Sequence, residues 1–270
     1  MRQGGFTTEC GVIRYWITKH PEAGKPWLVM LPGLTFDHRL FSRQVRNFTG
    51  RYNMLAWDAP GHFESRPFVL EFGLEDQARW LSKILELERV TNFVLIGQSM
   101  GGCVSQAFID LFPGRARGFI AIDSVPLQWR YYPYLELKLL DYSDPIISMV
   151  PWKVLRGLAS YGASTSSIGR KFVRNNADSY DHSYYRYLSS HGFTMLSDYI
   201  KNKNPSPLSC PTILICGQFD FFGNVKSLNR RWAKKEGLPI HWIYRASHNS
   251  NVDNVRVVNK LIEDFVDGLG

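Results

Sequence analysis

The sequence predicts an α/β fold, a mostly parallel sheet flanked by helices with a helical cap inserted late in the sheet. Three observations carry this. Short apolar runs recur along the chain, amphipathic helical patterns separate most of them, and one long stretch breaks the alternation. An apolar run of five or six residues closed by turn residues marks a strand buried on both faces. Parallel sheets covered by helices are built from such strands.

Taken in chain order, residues 6–18 alternate and are read as a hairpin at the sheet edge. Residues 26–31, Pro-Trp-Leu-Val-Met-Leu, form the first buried run and stop at Pro32-Gly33. The pattern returns at 53–57, 92–96, 118–122, 212–216 and 239–244. Between the second and third runs, Leu74, Ala78, Leu81, Ile84, Leu85 and Leu87 share one helical face, with Glu75, Asp76, Lys83 and Glu86 elsewhere. Leu261, Ile262 and Phe265 give the last helix its apolar side. From about 129 to 205 no strand run occurs, and the sequence turns helical and aromatic. Ten of the thirteen tyrosines lie there, among them Tyr131, Tyr132, Tyr134, Tyr184, Tyr185 and Tyr187. The expected organisation is therefore a core of residues 1–128 and 206–270, and a cap of residues 129–205 over the carboxyl edge of the sheet. In that position the cap aromatics, Trp129, Tyr132 and Tyr185 among them, are expected to roof a ligand site, the alternative being that they only pack the cap onto the core.

Composition narrows the class. An apolar fraction of 44% with 21% charged residues suits a globular core. No run approaches the roughly 18 apolar residues of a membrane span, and residues 1–11 lack the basic start and apolar run of a signal peptide. A cytoplasmic protein is expected. Cys10, Cys103, Cys210 and Cys216 show no metal or CxxC spacing and are read as buried thiols. The net charge of +8 comes from short clusters far apart, such as Arg43, Arg46 and Arg51, or Arg230, Arg231, Lys234 and Lys235. No recognition-helix or RNA-binding motif accompanies them, so they are read as solvated helix faces and no nucleic-acid partner is expected. A small acyl compound is the expected partner, and a homodimer is compatible with the sequence.

The chemistry is concentrated at Gly97-Gln98-Ser99-Met100-Gly101, a G-x-S-x-G between a buried strand and a helical pattern. A turn that sharp strains the serine backbone and needs glycines where side chains would collide. It also sets the hydroxyl at a helix N-terminus, where negative charge is favoured. Serine alone is a poor nucleophile and needs a base oriented by an acid. Asp220 and His248 each lie four residues beyond a strand run, where a loop at a strand's carboxyl end presents a side chain. Asp123, at the end of an earlier strand, is a rival acid. His20, His38, His62, His182, His191 and His241 lack such a placement. An oxyanion needs two donors. Met100, following the nucleophile, supplies one N–H, and Leu34, in the loop after the first buried strand, the other.

With these residues in view, the chain resembles the α/β-hydrolase superfamily, in its serine branch with a helical cap. The carriers are Leu-Pro-Gly-Leu at 31–34, Asp-Ala-Pro-Gly-His at 58–62, Gly-Gln-Ser-Met-Gly-Gly at 97–102, Gly-Gln-Phe-Asp at 217–220 and Ser-His-Asn at 247–249. Pro32 stands where the family usually has histidine, and Phe63 where it tends to have glycine. The resemblance implies that the Asp58 segment is a structural turn. Serine at 99, where dehalogenase- and epoxide-hydrolase-like members carry aspartate, argues against alkyl-enzyme chemistry. The expected activity is hydrolysis of a carboxylic ester or related acyl compound through an acyl-enzyme, with no metal or organic cofactor. Related proteins use the same residues for thioesters, lactones and C–C bonds, so a C–C hydrolase acting on a β-diketone-like compound is the alternative. A non-catalytic receptor on this fold is the alternative from another class, and the presence of every triad member argues against it.

Overall fold

The computed structural model describes residues 1–133, 150–203 and 205–270. Its strands are β1 (Arg2–Thr7), β2 (Val12–Ile17), β3 (Trp27–Leu31), β4 (Asn53–Trp57), β5 (Phe93–Gln98), β6 (Ala116–Ile122), β7 (Thr212–Gly217) and β8 (Ile240–Ile243). The helices are α1 (Ser42–Phe48), α2 (Leu74–Leu87), α3 (Met100–Leu111), α4 (Trp152–Ala163), α5 (Ser167–Ala177), α6 (His182–Asn202), α7 (Val225–Glu236), α8 (Ser250–Asp253) and α9 (Val255–Gly268).

Among the described residues the strands form one eight-stranded sheet in the order β1-β2-β4-β3-β5-β6-β7-β8. The residue 6–18 hairpin is present as β1 and β2, antiparallel to each other, and β2 is antiparallel to β4. The remaining neighbours run parallel. Pro26 and Pro239 sit just outside β3 and β8, because proline has no N–H to give a ladder. Their carbonyls still accept from Asn53 and Leu214 at 3.1 and 2.9 Å.

Strand periodicity divides the core into two layers. Val29, Leu31, Leu55, Trp57, Leu95 and Phe119 face one side and pack with α2, α3, α6 and α7. Leu28, Met30, Met54, Ile96, Ile120 and Ile215 face the other and pack with α1, α5 and α9. Burial on both faces is why these strands read as continuous apolar runs. Cys103 and Cys216 are buried thiols, while Cys10 and Cys210 are half-buried. No helix among the described residues is long and apolar enough to cross a membrane.

The chain leaves β3, crosses to β4 and returns past β3 to β5, so the strand order reverses between β3 and β5. Ligands on open α/β sheets bind in the crevice at such a reversal, outside the carboxyl ends of the strands. Helices α4, α5 and α6 lie between β6 and β7, where the sequence breaks its alternation. Residues 134–149 and 204 of the expected cap, Tyr134 included, lie outside the described residues.

Candidate active site

Ser99 occupies the sharp turn from β5 into α3 with φ 50° and ψ −118°. A non-glycine residue held in such a region stores about 1–3 kcal/mol, maintained by its surroundings. The surroundings are visible. Ser99 N–H donates to Ile122 O at 2.9 Å, and the Ser124 hydroxyl donates to Ser99 O at 2.7 Å. A side chain at Gly97 would meet the Gly101 carbonyl and Gly102 Cα at 2.5 Å, and one at Gly101 would strike the Leu31 carbonyl. The glycines are there because backbone passes backbone.

His248 lies in the loop after β8 and Asp220 in the loop after β7. The Ser99 hydroxyl lies 2.8 Å from His248 Nε2, and His248 Nδ1 lies 2.8 Å from Asp220 Oδ2. The other Asp220 oxygen accepts the Phe222 N–H at 3.0 Å. Both Asp220 and His248 are buried, and the Phe222 ring packs on the imidazole with centroids 4.8 Å apart. Burial pulls the His248 pKa down, but the charge and hydrogen bond of Asp220, with the Asp123 charge behind it, outweigh this. The net result is a pKa above the ordinary histidine value.

Asp123 directly follows β6 with φ 47° and is fully buried beside Asp220 and Cys216. It does not touch the imidazole. Its oxygens accept from Gly217 N–H at 2.7 Å and Ser250 N–H at 2.9 Å, at the start of the acid loop and just after His248. Desolvation, then the neighbouring Asp220 charge, push its carboxyl well above the usual carboxylate range.

Met100 opens α3, so its N–H has no acceptor within the helix. Leu34 follows Gly33 in the loop after β3, and its N–H has no acceptor among the described residues. Thr35, next along, has φ 64°, and its hydroxyl meets the Tyr185 hydroxyl of α6 at 3.4 Å. The two other aromatics singled out in the sequence are placed differently. Tyr132 donates its hydroxyl to Pro126 O at 2.7 Å, and Trp129 is largely exposed.

Leu34 and Met100 also line a small chamber between the end of β4 and α6, together with Trp57, His62, Leu188 and His191. Trp57 Nε1, His62 Nε2 and His191 Nε2 are buried there without a hydrogen-bond partner among the described residues. His62 Nδ1 lies 3.0 Å from Pro60 O, which only accepts, so Nδ1 carries the proton and Nε2 is an acceptor. Desolvation lowers His62 to about 4 and lowers His191 as well, so both rings are neutral and the walls carry no charge. Sequence reasoning set these two histidines aside. A polar residue at a position not following a strand gives no signal until α6 is folded over β4.

Two groups of side chains have the composition of a metal site, Asp37 with His38 and Asp58, and Asp123 with Cys216 and Asp220. In the first, Asp37 is taken by the Arg39 guanidinium at 2.7 Å and Asn176 at 2.6 Å, and Asp58 by His38 and Glu64 N–H. In the second, the carboxylate oxygens accept from backbone N–H groups and His248. Donors already fill the positions a cation would use.

Comparison with known proteins adds three findings. A family model described as the alpha/beta hydrolase fold matches residues 26–142. The chain is 31% identical over 134 residues to the 2-heptyl-3-hydroxy-4-quinolone dioxygenase of Rhodococcus erythropolis, covering 49% of this chain and 48% of that one. It is 35% identical over 88 residues to the 2-succinyl-6-hydroxy-2,4-cyclohexadiene-1-carboxylate synthase of Shigella dysenteriae, covering 33% and 34%. The matches thus span half or less of these relatives' lengths. Among solved structures, an esterase of Thermogutta terrifontis superposes over 100% of this chain and 99% of its own, with a TM-score of 0.77 and 17% identity. At that identity the likeness speaks to the fold.

Proposed function

We propose that this protein, an enzyme with the α/β-hydrolase fold, is a serine hydrolase that cleaves a carboxylic ester or related acyl compound through an acyl-enzyme. The observation that carries the reading is the unbroken hydrogen-bonded line from the Ser99 hydroxyl through the His248 ring to the Asp220 carboxylate. Ser99 attacks the carbonyl while His248 takes its proton. Asp220 holds the ring tautomer and stabilises its cationic form, and the N–H groups of Leu34 and Met100 receive the oxyanion. His248 then returns its proton to the leaving group, and water, deprotonated by the same ring, releases the acid. Helices α4 to α6 serve as a cap that sets the shape of the substrate accepted.

A fluorophosphonate probe tests this directly. Attack by the Ser99 oxygen on phosphorus expels fluoride and leaves a stable adduct. One equivalent of label on Ser99, and none on Ser99→Ala, is expected. An unlabelled wild-type protein overturns the reading.

The acid limb of the pH profile gives a second test. His248 must be neutral to accept the proton, so kcat/KM falls as acidification protonates it. Because its pKa is raised, the midpoint is expected above the ordinary histidine value of about 6.5. A rate flat down to about pH 4.5 means that another group is the base.

A second reading is favoured by the relatives' names, one a dioxygenase and one a synthase, neither an ester hydrolase. In it, His248 and Asp220 take a proton from the substrate itself, and Ser99 orients that substrate by hydrogen bonding. C–C bond cleavage falls within this reading. Loss of Ser99 then costs far less than loss of His248.

A further inference from the structure

The loop that carries His248 is fastened to the helical insert as well as to the sheet. From the sheet side, the Gln98 amide donates to His248 O at 2.7 Å, and the Ser247 hydroxyl donates to Phe219 O at 2.9 Å. From the insert side, the turn joining α4 to α5 reaches both neighbours of the histidine. Asn249 N–H donates to Ala163 O at 2.8 Å, and the Ser247 hydroxyl is shared with Gly162 O. Asp253, five residues on, joins the two segments. One of its oxygens accepts from Thr165 N–H at 2.9 Å and Ser247 N–H at 3.0 Å. The other accepts from Ser166 N–H at 3.0 Å and from the Ser164 hydroxyl.

We propose that Asp253 is a positioning residue for the base, clamping the α4–α5 turn of the insert to the His248 loop so that the insert's seating sets the approach of the imidazole to Ser99. The inference rests on the serine-hydrolase reading for its kinetic consequence, though not for its geometry. Four donors from two segments distant in sequence converge on one carboxylate, and each is a bond that only an acceptor can make. Burial works against the charge, but bonds to Ser164, Ser247, Thr165 and Ser166 hold the carboxyl below its ordinary range, so the clamp stays ionised at working pH. Asparagine has the same shape but one acceptor fewer, and turns an N–H₂ toward N–H donors. A displacement of about 1 Å in a reacting group costs on the order of 10²-fold in rate. A clamp at residues 247 and 249 acts on the ring without touching substrate.

The test compares Asp253→Asn and Ser247→Ala with wild type. The second variant removes the hydroxyl that Gly162 O and Phe219 O share, without changing charge. Sites are counted by fluorophosphonate labelling, so kcat is expressed per competent site. Asp253→Asn is expected to lower that kcat by about 10- to 100-fold with KM changed less than about twofold. Ser247→Ala is expected to lower it by several-fold. The titratable groups near His248 are Asp220, hydrogen-bonded to the ring, and Asp123 behind it, and the raised pKa of the ring depends above all on the contact with Asp220. In both variants the imidazole pKa, followed by NMR of the labelled ring, is therefore expected to move down toward the ordinary value. The NMR measurement does not depend on Ser99 being a nucleophile. A wild type that takes no label sinks the serine reading while the ring titration still decides the clamp. If melting temperature and labelled fraction drop but kcat per site and the His248 titration do not move, Asp253 is structural glue and the proposal is wrong. If Asp253→Asn fails to fold, Ser164→Ala, which removes one of the four donors to Asp253, decides by the same two readouts.

Discussion

Ser99→Ala is expected to lower kcat on an acyl ester by about 10⁴- to 10⁶-fold while the protein stays folded. The size follows from what the hydroxyl does. No other oxygen at the turn is held against His248 Nε2, so without it the base has only water to activate. The proposed oxyanion donors, Leu34 and Met100, remain, and such donors account for the residual rate that serine enzymes keep when a triad member is lost. Folding is spared because the bonds that hold this turn are made by the backbone of residue 99, to Ile122 O and from the Ser124 hydroxyl. Alanine keeps the Cβ and so meets the same strain at φ 50° as serine does. Purified variant and wild type should show similar melting temperatures and differ in turnover of an activated ester and in fluorophosphonate uptake. Retention of more than about 1% of wild-type kcat rules out the acyl-enzyme route. If His248→Ala then abolishes turnover while Ser99→Ala does not, the base acts on the substrate directly and the second reading holds.

How much of this was legible in the sequence differs between elements, for physical reasons. Strands β3 to β7 were legible because burial on both faces keeps their central positions apolar, with Asn53, Gln98, Arg117 and Thr212 at or near the strand ends. The Ser99 turn was legible because close backbone passage demands glycine at fixed offsets. Asp220 and His248 followed from loop position alone. Asp123 and Asp220 both sit at strand ends, and what separates them is which loop closes over the imidazole, a long-range outcome that spacing does not encode. That His62 and His191 line one chamber was not legible for the same reason, since α6 must fold over the loop after β4 to bring them together. Asp253 looked like any acid at the start of a C-terminal helix. Its four donors come from residues 164–166 and 247, and only the folded insert brings the first three within reach. The aromatics of residues 129–205 stand out in the sequence as a group, and the structure places them differently one by one. Tyr185 reaches the oxyanion loop through Thr35, Tyr132 is tied to Pro126, and Trp129 faces solvent.

Asp220→Asn and Asp123→Asn should differ by roughly two orders of magnitude, and the difference identifies the acid. Asp220 Oδ2 lies 2.8 Å from His248 Nδ1, so an asparagine there either presents N–H₂ to the ring or accepts without a charge. In the first case the ring takes the tautomer with its proton on Nε2 and cannot accept from Ser99. In the second the imidazolium loses its counter-charge. A loss of about 10⁴-fold in kcat is expected, with labelling by fluorophosphonate slowed in parallel. Asp123 makes no contact with the imidazole and acts through the Gly217 and Ser250 N–H groups, one on each side of the triad loops. Asparagine keeps one of these two bonds, and its neutrality resembles the protonated form toward which burial already drives Asp123. The expected loss is at most about 10²-fold, the scale of a misplaced rather than a missing group. The two variants also differ in pH dependence. Burial already drives Asp123 toward its neutral form, so Asp123→Asn removes little charge from beside His248 and leaves the acid limb of kcat/KM near its wild-type position. Asp220→Asn moves that limb to lower pH, because it removes the largest of the contributions that raise His248. If instead Asp123→Asn is the more damaging substitution, then Asp123 is the functional acid and the loop after β7 must rearrange when substrate binds.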